Sequence, residues 1–308
     1  MNPQRRTTLL LSIHGRCIVL SILIAACFSV LVVWCLVFLP PPPGSPTAAQ
    51  VALGVRLLAE PRLSADGKRS CVTCHQPKLG FTDGLAVPEG GSLNTPTLWG
   101  LGARARFGWF RPDVTSLEQM ALLPLDDPAE MGPQRDVTLE RLRADPALRA
   151  AYQAAFPDGE EPVTWEHTAQ ALAAAIRTLE PPVSAYDRAV AGDASALSPA
   201  ARRGQALFAE LGCQNCHQPP LFASDSYHAI GVADASRPNH GRARVPSLRG
   251  VRHTAPYFHN GSAATLEAVI RVYERGGQTA SAPVSPAIQP LLLTDDDVWD
   301  LVAFLEAL

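Results

Sequence analysis

Two pentapeptides carry most of the chemistry available to this chain. Cys71-Val72-Thr73-Cys74-His75 and Cys213-Gln214-Asn215-Cys216-His217 share one pattern, and Gln-Pro follows each. Two thiols separated by two residues, with an imidazole directly after them, suit covalent haem attachment. Each thiol can form a thioether with a vinyl group while the histidine ligates iron. A zinc site would need further Cys or paired His nearby, and a thioredoxin-like pair would need a βαβ setting. The sequence supplies neither, so two covalent haem c groups are expected. Between His75 and Trp165 there is no other histidine, and Met120 and Met131 are the only methionines. The first haem therefore has few candidates for a sixth ligand, which favours an open, reactive iron.

The elements that must position these motifs repeat as well. Gly54-Val55-Arg56-Leu57-Leu58-Ala59-Glu60 precedes the first motif, and Gly204-Gln205-Ala206-Leu207-Phe208-Ala209-Glu210 precedes the second. Each reads as an amphipathic helix leading into its C-x-x-C-H, so two related modules are expected. Residues 137–156 carry apolar positions at helical spacing but should divide at Pro146. Residues 165–179 place Leu172, Ile176 and Leu179 on one face. Thr294 is a good N-cap, with Asp295, Asp296 and Asp297 in the first turn of a closing helix. Strand signals are weak, and there is no Gly-rich nucleotide loop and no serine-nucleophile elbow.

Residues 18–39 are uncharged and largely apolar, and as a helix would span about 33 Å, enough to cross a bilayer. Arg5, Arg6 and Arg16 precede this run, so the positive-inside rule leaves everything after Pro40 outside the cytoplasm. A cleaved signal peptide, or a lipoprotein box ending at Cys27, would export the same body. Cys17, Cys27 and Cys35 lie in or beside this run, which leaves no cysteine for a disulfide in the body. A Pro-rich spacer over 40–46 follows. The expected organisation is an anchor and linker (1–46), an N-terminal haem domain (47–195) and a C-terminal haem domain (196–308). The fold class is mainly α, with two cytochrome c-like haem domains in tandem, long loops and one N-terminal transmembrane helix.

Composition agrees with this organisation. Of 308 residues, 47% are hydrophobic and 18% charged, which excludes general disorder. The net charge of −3 gives no electrostatic footprint for nucleic acid. The 28 prolines and 22 glycines exclude a plain helical bundle.

With both haem motifs, Asn94-Thr95-Pro96-Thr97-Leu98-Trp99, Ser116-Leu117-Glu118-Gln119, Pro128-Ala129-Glu130-Met131-Gly132 and Thr254-Ala255-Pro256-Tyr257-Phe258-His259-Asn260-Gly261 in order, the chain resembles the bacterial dihaem cytochrome c peroxidases. That family includes the MauG-type enzymes. The resemblance implies a peroxide-reacting haem on His75 and an electron-transfer haem on His217. It places Trp99 between the haems as a relay, although a buried core aromatic is the plainer reading of that residue. Fourteen residues beyond His259, where the peroxidases carry methionine, stands Tyr273. This is the MauG-type arrangement, and its plainer alternative is a core tyrosine. A phenolate there would favour ferric over ferrous iron.

The family's loop histidine over the first haem is missing, which implies that reductive activation is unnecessary. A distal glutamate takes and returns the peroxide proton in the family. Aligned from Trp109 this is Glu118, and aligned from Pro128 the position is Gln119. Glu118 is also a plain helix-start residue behind Ser116. Pro112 would belong to the distal wall, where Arg111-Pro112-Asp113 replaces the family's Asp-Gly-Arg. A calcium ion between the domains would draw on Asp83, Thr254 and Pro256. His14, His167, His228, His240 and His253 read as solvated or structural.

The leading expectation is thus a membrane-tethered, exported dihaem oxidoreductase acting on hydrogen peroxide in the periplasm. Its electrons would come from a small redox protein such as a cytochrome c. The alternatives are a MauG-type enzyme that oxidises tryptophan or tyrosine of a partner protein, and a dihaem electron-transfer cytochrome without catalysis.

Overall fold

A computed structural model describes residues 45–132, 134–232, 241–278 and 283–308. In chain order its helices are α1 (Ala48–Leu58), α2 (Cys71–Cys74), α3 (Leu117–Asp126), α4 (Arg135–Arg143) and α5 (Pro146–Ala155), then α6 (Trp165–Ile176), α7 (Ala185–Val190), α8 (Pro199–Glu210), α9 (Leu266–Glu274) and α10 (Asp295–Glu306). Two three-residue strands, β1 (Tyr227–Ala229) and β2 (Arg242–Arg244), pair antiparallel with Tyr227 opposite Arg244. The fold is mainly helical with long connections, as composition and periodicity anticipate. The expected transmembrane segment 18–39 lies outside the described residues. Among the described residues, no helix is long and apolar enough to cross a membrane.

Local chemistry sets the helix ends. Thr47 opens α1 with a reciprocal capping box. Its hydroxyl accepts from Gln50 N at 3.1 Å, and the Gln50 side chain accepts from Thr47 N at 2.9 Å. Asp145 accepts from Ala147 N and Leu148 N, and Pro146 takes the first helical position of α5, where its missing N–H costs nothing. The break expected at Pro146 is therefore a helix start. Thr294 and Asp297 form the capping box that begins α10. The helix from Trp165 ends at Ile176, three residues short of the expected Leu179. Leu179 instead turns, and its carbonyl accepts from Gly100 N at 2.8 Å.

Packing repeats in the two halves. α1 crosses α6 at Gly54, where a Cβ would stand 1.8 Å from the Ala171 carbonyl oxygen. α8 crosses α10 at Gly204, where a Cβ would stand 1.8 Å from the Asp300 carbonyl oxygen. Only glycine permits this approach. One hydrophobic core runs from Leu53 to Ile176 and contains Leu57, Leu142, Leu148 and Tyr152. A second runs from Phe208 to Leu308 and contains Val298, Leu301 and Phe304. Both belong to one compact unit spanning Pro46 to Leu308.

Candidate haem sites

Each C-x-x-C-H folds as a single turn that aims its histidine. In the first, α2 ends at Cys74, and His75 N donates to Cys71 O at 2.8 Å. The His75 ring lies 3.0 Å, Nδ1 to O, from the Phe81 carbonyl. In the second, a 3-10 turn over Cys213–Asn215 does the same work. His217 N donates to Cys213 O at 2.9 Å, and its Nδ1 lies 3.0 Å from Phe222 O. With Nδ1–H donated to a carbonyl, Nε2 keeps its lone pair for a metal, and the ring cannot swivel. Both acceptors hold positive φ, 58° at Phe81 and 50° at Phe222. That region is costly for bulky residues and is kept here because it turns each carbonyl toward its histidine.

Burial keeps both rings neutral, the state that ligates iron. It lowers the pKa of His75 and brings His217 to about 4. The four thiols form no disulfide. Burial pushes Cys71 up to about 12 and Cys213 up to about 11.

A second repeat, which the reading of the sequence missed, braces these turns. Thr97 donates to Gly80 O at 2.6 Å, and Ser247 donates to Leu221 O at 2.8 Å. Each hydroxyl accepts at 3.1 Å from the backbone N–H two residues on, Trp99 N and Arg249 N. A left-handed glycine follows in both copies, Gly100 and Gly250. The signal was present as Pro96-Thr97-Leu98-Trp99-Gly100 and Pro246-Ser247-Leu248-Arg249-Gly250. Its spacing from the haem motifs differs between copies, which hid it.

Trp99 replaces Arg249 in this comparison and bridges the two sites. A Cβ on Gly80, or on Gly250, would stand 2.8 Å from its ring. The indole meets Phe81 edge-on at 6.2 Å, beside the His75 turn, and also lines the cavity that contains His217. That cavity measures about 530 Å³, and Cys213, Cys216, His217, Tyr273, Leu301 and Leu305 are among its lining residues. Tyr273 reaches it from α9, and burial, reinforced by Cys213 and Cys216, raises its phenol pKa. Paired thiols, a buried neutral imidazole and an apolar cavity of this size fit a covalently held haem.

Comparison with known proteins decides the assignment. The profile for di-haem cytochrome c peroxidases matches residues 48–195, and one described as RoxA-like, cytochrome c-like matches residues 244–277. The methylamine utilization protein MauG of Methylorubrum extorquens is 37% identical over 87% of this chain and 81% of its own. The cytochrome-c peroxidase IdrP1 of Denitromonas iodatirespirans is 33% identical over 87% and 84%. The crystal structure of a MauG-like protein associated with microbial copper homeostasis superposes with a TM-score of 0.77 at 30% identity, covering 88% of this chain and 94% of that one.

This chain belongs to the dihaem cytochrome c peroxidase family. It is a dihaem oxidoreductase, and covalently bound haem c is its cofactor. The two C-x-x-C-H turns, Cys71, Cys74 and His75 and Cys213, Cys216 and His217, offer the paired thiols and neutral imidazole that such a cofactor requires.

The other residues singled out from sequence fall in different places. Glu118 stands in the first turn of α3, behind the Ser116 cap, and pairs with Arg177 at 2.7 Å, tying α3 to the end of α6. Gln119 Oε1 accepts from Thr115 N at 3.0 Å. Pro112 is exposed between Arg111 and Asp113, which pair with each other at 2.7 Å. Neither Glu118 nor Pro112 lines the His217 cavity. Asp83 uses both carboxylate oxygens internally, accepting from Leu85 N at 2.9 Å and from the Thr95 hydroxyl at 2.8 Å. Thr254 and Pro256 line the His217 cavity. Among the described residues, no group of three or more His, Cys, Asp or Glu is placed to hold a metal ion.

Of the histidines given no role, His14 and His240 lie outside the described residues. His167 is structural, stacked on Phe156 at 4.0 Å. The other two have more specific places. His228 lines the cavity with Nε2 3.7 Å from Cys216 Sγ, and His253 meets Trp99 edge-on at 6.0 Å.

Proposed function

We propose that the chain reduces hydrogen peroxide at the His75 site, with electrons supplied through the His217 site, and that it does so without prior reductive activation. The single observation that carries this reading is Tyr273, which lines the cavity of His217. On binding iron its phenol would give up the proton and become a hard anionic donor that favours the ferric state, unlike the methionine of an electron carrier. Bound haem iron supplies the redox chemistry, activating peroxide and passing electrons. The chain's own residues do the rest. Phe81 O and Phe222 O hold His75 and His217 in register for their metals. The Trp99 indole offers an oxidisable ring between the two sites. The Glu118 carboxylate, positioned by Arg177, takes the proton from one peroxide oxygen and returns it to the other. Two electrons and two protons then convert each peroxide to two waters.

The electron source is a small redox protein. Tyr273 also favours a second reading, in which an aromatic side chain of a partner protein is oxidised, as the name of the MauG relatives invites. Residues 18–39 would tether the body to the cytoplasmic membrane, facing the periplasm.

The test is direct. Resting protein should show a high-spin ferric EPR signal from an open first site, and a spectrum with low-spin signals alone would sink the catalytic reading. One equivalent of peroxide added to the diferric protein should produce a lasting spectral change in the wild type and a short-lived one in Tyr273→Phe. Identical responses would remove Tyr273 from the mechanism. Turnover with reduced cytochrome c as sole electron source separates peroxidase action from oxidation of a partner.

A further inference from the structure

Two buried arginines line the His217 cavity and have no part in the scheme above. Arg104 comes from the loop beyond Trp99, and Arg244 ends β2. The Arg104 side chain is only 4% exposed and is pinned from three sides. Its Nε donates to Asp225 Oδ1 at 2.9 Å, and Nη2 donates to Val245 O at 3.0 Å and to Ser224 O. Its Nη1 is buried and has no hydrogen-bond partner. Arg244 is 7% exposed, and its Nε donates to Gly108 O at 3.2 Å. Burial, and then the charge of Arg104, brings Arg244 down to about 10.

Two guanidinium groups therefore line one apolar cavity, near enough for their charges to interact, and among the described residues Arg104 pairs there with Asp225. Buried charge of one sign is costly unless an anion meets it. Asp225 offsets part of this charge, but its carboxylate is already bonded to Arg104. Among the described residues Arg244 has no carboxylate partner, and an anion within the cavity would balance its charge. Haem carries two propionate carboxylates, and a guanidinium presents forked donors that match a carboxylate.

Resting on the assignment of His217 to a haem, we infer that Arg104 and Arg244 form a carboxylate clamp that grips the propionates of the second haem. Such a clamp would hold the propionates of a haem attached at Cys213 and Cys216, and would add positive charge to the second site. Positive charge favours the reduced state, and a phenolate at Tyr273 opposes it. The clamp and the tyrosine thus set the second potential from opposite directions. Arg104 makes this contact from the first half of the chain, so assembly of the second site depends on the Arg104 loop.

The test uses full-length protein carrying both haems, counted by pyridine haemochrome assay. Arg244→Gln and Arg104→Gln should each lower the midpoint potential of the second haem, leave that of the first unchanged, and shift the propionate bending mode in resonance Raman spectra. Arg104→Lys should keep the potential near wild type and still shift the Raman mode, because it retains charge and loses the fork. If Arg104→Gln fails to assemble, Arg104→Lys and Arg244→Gln carry the same test. Unchanged potentials and Raman modes in variants that hold two haems would overturn the clamp. Fewer than two covalent haems in the wild type would instead overturn the haem assignment, a distinguishable result.

Discussion

Phe81 and Phe222 show how single residues are used here. Each accepts a strained backbone so that one carbonyl can hold one imidazole. Trp99 is the residue whose replacement should be most informative. Trp99→Phe keeps an aromatic ring between Gly80 and Gly250 and removes the easily oxidised indole. Haem content should stay at two, while charge exchange between the sites slows at least tenfold in stopped-flow absorbance. An unchanged rate would reduce Trp99 to packing. Asp145 makes a prediction about pH. It caps α5 by accepting from Leu148 N, and Arg62 adds its charge, which together hold the carboxyl at about 2 against an ordinary 3.8. A depressed folded pKa means the stabilisation is complete above 3.8 and is lost as pH falls toward 2. Asp145→Ala should therefore melt below wild type at pH 7, and the gap should narrow steadily between pH 4 and pH 2 in circular dichroism melts.

At the scale of elements, the duplicated helix crossings are the main structural device. Gly54→Ala and Gly204→Ala each push a Cβ into a backbone carbonyl at 1.8 Å, a contact no side-chain rotation relieves. Each should destabilise by at least the roughly 1–3 kcal/mol of an overpacked core. Thermal melts check this, and a loss under 0.5 kcal/mol, roughly the scale of an exposed surface change, would mean the helices separate easily. The start of α10 was readable because Thr294 announces it in local chemistry, and the division of α4 from α5 because Pro146 marks it; the caps at Thr47, Asp145 and Ser198 emerged only with the fold. The β1–β2 ladder was not readable. Strands of three residues carry no periodicity, and their pairing joins Tyr227 to Arg244 across a long connection. Trp99 was noticed from its motif, whereas the brace around it was not, because its second copy stands at a different distance from its haem motif and carries arginine in place of tryptophan.

Over the whole molecule, two hydrophobic cores support two attachment sites within one compact unit. The cavity of the second site is lined by residues as distant in sequence as Thr82 and Leu305. Filling it should therefore matter to both halves unequally. A Cys213→Ala/Cys216→Ala chain should keep one covalent haem and show new protease cleavage mainly beyond Ser198, with the core from Leu53 to Ile176 protected. Equal cleavage in both halves would show that the cores do not hold independently.

The sequence alone pointed to the attachment chemistry, because a cysteine pair followed by histidine is a local pattern and the competing zinc and redox readings need neighbours that the sequence lacks. It also determined a few helix ends, the break at Pro146 and the start at Thr294, since caps and proline act over a few residues. The tertiary structure decided which side chains meet. Only folding brings Tyr273 into the cavity of His217, seats Trp99 against Gly80 and Gly250, pairs Glu118 with Arg177, and buries Arg104 and Arg244 around that cavity. Those contacts join residues tens to more than a hundred positions apart, and no local spacing encodes them.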